Sequence, residues 1–326
     1  MQNNDSNAEA VDMLEVSAKT DKCVRKKIAS VSGLVKVYNG VSVVNEISFD
    51  LLAGETTILV GPNGSGKTTT MEMLVGLRTP TKGSVRIINI PVVPGGEHRF
   101  YTGVQLQSSG LPSRIKTREV IRATECLYSD PADWCAMASK LGVDNYLDKT
   151  VDNLSGGQRR RLDILCAAIG HPSLLVLDEP TSGVDPEGRS VVWDFVRSLT
   201  SEGCAVLAST HDMAEAEAFA DVLLVMDRGK IRLNGGVDEV LASLGGDRRL
   251  RITEPTEHIT DWVKKSGLSY GHTGSSIVAI GSVDAIADLS AQLHHLDSAA
   301  DILTGPVRLE DVFAVITGAE QMSGGE

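Results

Sequence analysis

No run of residues in this 326-residue chain approaches the roughly 18 consecutive apolar positions a membrane-spanning helix needs. The chain is therefore not expected to cross a bilayer itself. Its opening segment, MQNNDSNAEAVDMLEVSAKTDKC, lacks the apolar stretch of a secretory signal. Positive charge is in deficit: 31 Lys and Arg stand against 43 Asp and Glu, for a net charge of −12, which argues against a general nucleic-acid binder. The five cysteines (Cys23, Cys126, Cys135, Cys166 and Cys204) form no CxxC pair. That spacing excludes a zinc ribbon or a disulfide framework and suits a reducing compartment. No internal repeat of useful length is visible.

With 42% hydrophobic and 23% charged residues, the composition is that of a globular protein, and the length suggests one large domain plus a smaller one. Residues 1 to 27 read as a polar, disordered tail. From Lys27, β-like runs (KIASVSGLVKVY, GVSVVNEISFDLL, TTILV) are punctuated by Asn39-Gly40 and Ala53-Gly54. A helix is expected over Lys67 to Leu77, then a strand at SVRIINI. Between about 108 and 153 the pattern turns helical, with Thr117 as the expected cap of TREVIRATECLY. Strands and helices then alternate through LLVLD, GRSVVWDFVRSLTSEG, AVLAST, MAEAEAFA and VLLVMDRGKIRLNGG, the signature of a largely parallel α/β sheet. After Gly245-Gly246 the pattern restarts: strands at RRLRIT and SSIVAIG, a helix with Val283, Ile286, Leu289 and Leu293 on one face, and a short last helix at LEDVFAVITG.

GPNGSGKT, from Gly61 to Thr68, matches the phosphate-loop pattern without a mismatch, between an expected strand and an expected helix. Gly61, Gly64 and Gly66 let main-chain N–H groups converge on phosphate oxygens, helped by the helix N-terminus. Lys67 supplies a point charge and the Thr68 hydroxyl a ligand for Mg²⁺. Farther on, LLVLDEP sets Asp178 and Glu179 at the C-terminal end of an apolar strand, where ligands bind in open α/β sheets. There Asp178 can hold Mg²⁺ and Glu179 can polarise an attacking water.

A second glycine pair opens another helix in Leu154-Ser155-Gly156-Gly157-Gln158. Ser155 and Gln158 make a capping box, but a cap has no need of two glycines costing roughly 1 kcal/mol each in a helix. A helix end that must approach an anion closely does need them.

Phosphate loop, LSGGQ, LLVLDEPTSGVD and a downstream histidine, in that order, resemble the nucleotide-binding subunit of an ABC transporter. The resemblance implies a P-loop α/β fold over residues 28–245, with a helical subdomain at about 108–153. Two such domains would face each other head to tail around ATP and Mg²⁺, so that LSGGQ serves the partner's nucleotide. By the same resemblance Tyr38 stacks on adenine. Gly61, Pro62, Asn63, Gly64, Ser65, Gly66, Lys67, Thr68 and Thr69 cradle phosphate, and Gln107 (with Gln105 as a nearby competitor) contacts the metal. Ser182, Gly183, Val184 and Asp185 form the D-loop, and His211 reaches the γ-phosphate beside Glu179 and Lys67. The small α+β domain at 246–318, before a tail at 319–326, is similar to the extension of ABC-2 type exporter ATPases. The implied partners are a separate polytopic permease and a second copy of the chain, at the cytoplasmic face of the membrane. The alternative within the superfamily is a soluble ATPase of assembly or translation type.

Overall fold

The computed structural model describes residues 25–107, 110–296 and 301–323; the expected disordered tail falls almost wholly outside these residues. In chain order the first elements are β1 (Lys27–Tyr38), β2 (Val41–Leu52), β3 (Thr56–Val60), α1 (Lys67–Leu74), β4 (Lys82–Ile87), β5 (Ile90–Pro91) and β6 (Thr102–Gln105). Helices α2 (Thr117–Glu125), α3 (Trp134–Lys140) and α4 (Gly156–Ala168) follow. Next come β7 (Leu174–Asp178), α5 (Pro186–Ser201), β8 (Ala205–Thr210), α6 (Met213–Phe219), β9 (Val222–Asp227), β10 (Lys230–Gly235) and α7 (Val237–Ala242). The last are β11 (Arg248–Thr253), α8 (Glu257–Lys265), β12 (Ser269–Thr273), β13 (Ser276–Gly281), α9 (Val283–Leu296), β14 (Ile302–Pro306) and α10 (Leu309–Ser323).

A six-stranded sheet, ordered β10-β9-β3-β8-β7-β6, forms the centre, parallel except for the β9/β10 hairpin. Its strands read as unbroken apolar runs because both faces are buried. Ile58, Val60, Leu175, Leu177, Val206 and Ala208 pack on the side of α4 and α5. Their neighbours Leu59, Leu174, Val176, Ala205 and Leu207 pack toward α1 and the antiparallel sheet β2-β1-β4-β5. Cys166 and Cys204 belong to this interior, and burial pushes both thiols up to about 12.

Strands β11 to β14 form a third sheet, ordered β12-β13-β11-β14 and antiparallel throughout, within a βαββαβ chain path. Leu250, Ile252, Ile259, Val263, Ile286, Leu289 and Leu293 make its own core. Its other face reaches the main core: Val278, Ile280, Leu309, Val312 and Val315 share one apolar cluster with the ATPase-side residues. Glu217 on α6 accepts the Leu309 N–H at 3.2 Å, fixing the start of α10.

Four sequence expectations shift. Helix α1 stops at Leu74, not Leu77, because Gly76 takes a left-handed conformation (φ 74). Its N–H bonds Met73 O and the Leu77 N–H bonds Glu72 O, the paired closure of a Schellman stop. Thr117 is not the cap of α2. Lys116 holds that position with its N–H on Glu119 Oε2, while the Thr117 hydroxyl is turned inward to Lys149 O. Val283 opens α9 but remains exposed, and the apolar stripe meets the sheet only from Ile286 onward. Helix α10 extends well past the LEDVFAVITG segment.

Candidate functional site

Neighbouring strands β3, β8, β7 and β6 all end on the same edge of the central sheet, about 4.8 Å apart. Four polar segments therefore meet there: the loop after β3, His211 after β8, Asp178 and Glu179 at β7, and Gln105 to Gln107 after β6. A cavity of about 360 Å³ opens between them, lined by Val43, Asn63, Gly64, Gly66, Lys67, Thr68, Thr69, Gln107, Glu179 and His211. Residues up to 168 apart in sequence, Val43 and His211, share one concave surface.

The glycine at position 66 is required by this packing. Its φ is 107, and a Cβ there would sit 2.6 Å from the Val43 carbonyl. It leads directly into α1, so the first N–H groups of that helix face the cavity without side-chain caps. Lys67 is buried and donates to Gly61 O at 2.8 Å and Pro62 O at 3.1 Å. Burial lowers its pKa from the ordinary lysine range, while the nearby Glu179 and Asp178 carboxylates oppose that shift. An arriving phosphate would replace the two carbonyls with stronger, charged acceptors.

At the end of β7 the two carboxylates point to different environments. Asp178 is buried, accepts from the Ser209 hydroxyl through Oδ1, and leaves Oδ2 without a hydrogen-bond partner among the described residues. This orphaned, buried carboxylate oxygen at the strand end, with Thr68 and Gln107 lining the cavity that adjoining Glu179 also lines, supplies oxygen donors of the kind that fit a hard cation such as Mg²⁺. Glu179 adopts a left-handed backbone (φ 50), uncommon for a residue with a side chain. Its N–H is held by Ser209 Oγ at 3.0 Å, and its Oε1 lies 3.1 Å from His211 Nδ1.

Gln105 and Gln107 are separated by the fold. Gln105 is buried and donates to the carbonyls of Asp178 and Leu106, whereas Gln107 faces the cavity. Tyr38 lies at the end of β1 outside the cavity lining, between Lys36 Nζ, 5.1 Å from its ring centre, and Arg78, 5.5 Å away. Gly61, Pro62 and Ser65 do not line the cavity; Gly61 and Ser65 are buried and Pro62 is exposed. Leu154 to Gln158 do not line this cavity at all. The capping box is present, with Ser155 Oγ accepting the Gln158 N–H at 3.2 Å and Gln158 Oε1 the Ser155 N–H at 3.1 Å. Asp185 caps α5 through the Gly188 N–H, and Ser182 to Val184 form the preceding turn.

Residues 44–182 match the family described as ABC transporter. The Nod factor export ATP-binding protein I of Paraburkholderia xenovorans (strain LB400) is 32% identical over 296 residues, 87% of this chain and 95% of that one. The chain belongs to the ABC transporter family. Among solved folds, an ATP-binding subunit of an ABC transporter superposes with a TM-score of 0.62 at 23% identity, covering 67% of this chain and 93% of that one. A dimeric bacterial ABC transporter cassette gives 0.59 at 21%, covering 64% and 99%. The match to the exporter ATPase extends past residue 245, since the ATPase domain alone is shorter than the aligned length.

Sequence reasoning about this ABC ATPase missed Ser209, which holds both Asp178 and the Glu179 N–H. The signal was present: AVLAST ends in two hydroxyls after four apolar or small residues, as LLVLDE ends in two carboxylates. It also missed the polar network behind His211 (Arg189, Trp193, Thr210, Asp212 and Glu215), whose members come from α5, the end of β8 and the start of α6.

Proposed function

We propose that the chain is the ATP-hydrolysing subunit of an ABC exporter, driving a separate membrane permease through closure of a head-to-tail pair of its own copies. One observation carries this reading. The cavity gathers Lys67, Thr68, Gln107, Glu179 and His211 beside the buried Asp178, while the LSGGQ segment presents a capped, glycine-bearing helix end elsewhere on the surface. A second copy turned head to tail would bring its LSGGQ to the nucleotide. Export follows the relatives, which carry that word in their names and align along most of the chain. No helix among the described residues is long and apolar enough to cross a membrane, which fits attachment to the inner face through a permease.

In this reading the phosphate loop, Gly61 to Thr69, cradles the β- and γ-phosphates with Lys67 as their counter-charge. Thr68, Asp178 and Gln107 hold Mg²⁺, which neutralises phosphate charge when bound. Glu179 takes the proton of the attacking water, and His211, bonded to it, steadies the developing negative charge. Tyr38 stacks on adenine from the β1 edge. Ser155, Gly156 and Gly157 meet the partner's γ-phosphate, with Ser182 to Asp185 lying along the seam.

The test is Glu179→Gln in the full-length chain. Turnover should fall roughly 10²–10⁴-fold, the usual worth of a positioned general base. With ATP and Mg²⁺ the variant should run at twice its nucleotide-free mass in light scattering. Wild-type turnover, or a monomer under saturating ATP, would refute the assignment.

A further inference from the structure

The main chain at His211 is bracketed by residues tied to α5, none of them assigned above to nucleotide. Arg189 reaches two ways: its Nε donates to the Val184 carbonyl at 3.2 Å and its Nη1 to Asp212 Oδ2 at 3.1 Å. Val184 lies in the loop before α5, and Asp212 directly follows His211. Asp212 is itself anchored. Its Oδ1 accepts the Glu215 N–H at 3.1 Å and caps α6, and its own N–H donates to Thr210 Oγ1 at 3.0 Å. One turn along α5, Trp193 donates to Glu215 Oε1 at 2.8 Å, and Thr210 donates to Oε2 of the same carboxylate at 2.9 Å.

At its other end this arrangement touches LSGGQ. A Cβ built on Gly157 would lie 3.5 Å from Val184 Cα and 3.6 Å from Gly183 O, so the N-terminus of α4 rests directly on that loop. Contacts within one chain thus run from Gly157 through Gly183 and Val184 to Arg189, Asp212, His211 and Glu179, the last link at 3.1 Å. Arg189 and Asp212 are 44% and 39% exposed, and ion pairs so exposed add little to folding stability. A guanidinium still fixes geometry here, because its donors form a rigid planar fork that spans two acceptors.

We propose that Arg189 is a positioning residue for hydrolysis, coupling the LSGGQ end of the chain to its own His211 and Glu179. When LSGGQ seats against the partner's nucleotide, the push on Gly183 and Val184 travels through the Arg189 fork to the Asp212 main chain. It thereby sets the His211–Glu179 pair at the chain's own nucleotide. The inference rests on the hydrolytic roles and head-to-tail pairing given above.

A double-mutant cycle in the full-length chain tests it, since only a coupling measurement identifies such a path. Arg189→Met removes the fork and keeps the stem; Asp212→Asn removes the charge and keeps the cap. Each should lower kcat about 10-fold, the usual cost of a supporting contact, with KM for ATP, fluorescent-nucleotide affinity and Tm unchanged. The double variant should be no slower than the slower single one, and Arg189→Lys should recover only part of the rate. Multiplying losses, or a change expressed equally in KM, affinity or Tm, would overturn the proposal. Glu179→Gln measured alongside separates the failures. A slow Glu179→Gln with a fast Arg189→Met refutes positioning alone, whereas wild-type turnover in both refutes the site assignment itself.

Discussion

Lys67 stands buried with its ammonium on two main-chain carbonyls, and burial pulls its pKa below 10.5 against the opposing pull of Glu179 and Asp178. Between that lowered value and 10.5 the unfolded chain binds more protons than the folded one, so this group makes stability rise with pH. Nucleotide-free wild type should therefore gain stability over Lys67→Met as pH is raised from ~8 to ~10. Chemical denaturation across that range checks it, and parallel curves for the two proteins would contradict the burial account. Glu179 illustrates a different residue-scale cost. A left-handed backbone strains a side-chain-bearing residue by about 1–3 kcal/mol. The strain turns the carboxylate away from the strand direction toward His211, and the Ser209 hydroxyl holds it there.

Among the elements, α4 is the one whose start serves two purposes. Its capping box pairs the Ser155 and Gln158 N–H groups, and Gly157 lets it lie against Gly183 and Val184. Ser155→Ala should cost about 0.5–2 kcal/mol of stability through the lost cap. Ser155→Arg should abolish turnover while nucleotide affinity, measured by fluorescence, stays at the wild-type value, because the cavity lining does not include this helix end. Joint loss of affinity and turnover would mean that LSGGQ serves its own chain's nucleotide. The phosphate loop, LLVLDE and LSGGQ were all legible because each is a local string whose chemistry depends on neighbours in sequence. The Thr117 cap was misread because the decisive contact, its hydroxyl on Lys149 O, comes from a segment 32 residues away.

Over the whole molecule, the βαββαβ unit does not hang free. Val278, Ile280, Leu309 and Val312 share an apolar cluster with the main domain, and Glu217 ties α10 to the helix that follows His211. The chain should therefore unfold in one calorimetric transition, and Leu309→Ala should cost about 2–5 kcal/mol of that stability. Truncation after residue 245 should lower Tm and leave α6 and α7 with an uncovered apolar face. Two separate transitions, with the ATPase side unchanged by truncation, would show that the docking carries no stability.

The sequence by itself determined the local pieces: a glycine-rich loop before a helix, a carboxylate pair at a strand end and a second glycine-opened helix. These are properties of short strings, where spacing dictates backbone shape and the side chains present dictate reactivity. Tertiary structure alone decided which of two glutamines faces the cavity, since Gln105 and Gln107 differ only in where β6 ends and what it packs against. It alone placed Ser209 under Asp178, Arg189 between Val184 and Asp212, and the last sheet against the main core. Those relations join residues distant in sequence through sheet order and helix packing; the paired hydroxyls of AVLAST mark a polar strand end, but only the pairing of β8 with β7 sets one of them against Asp178.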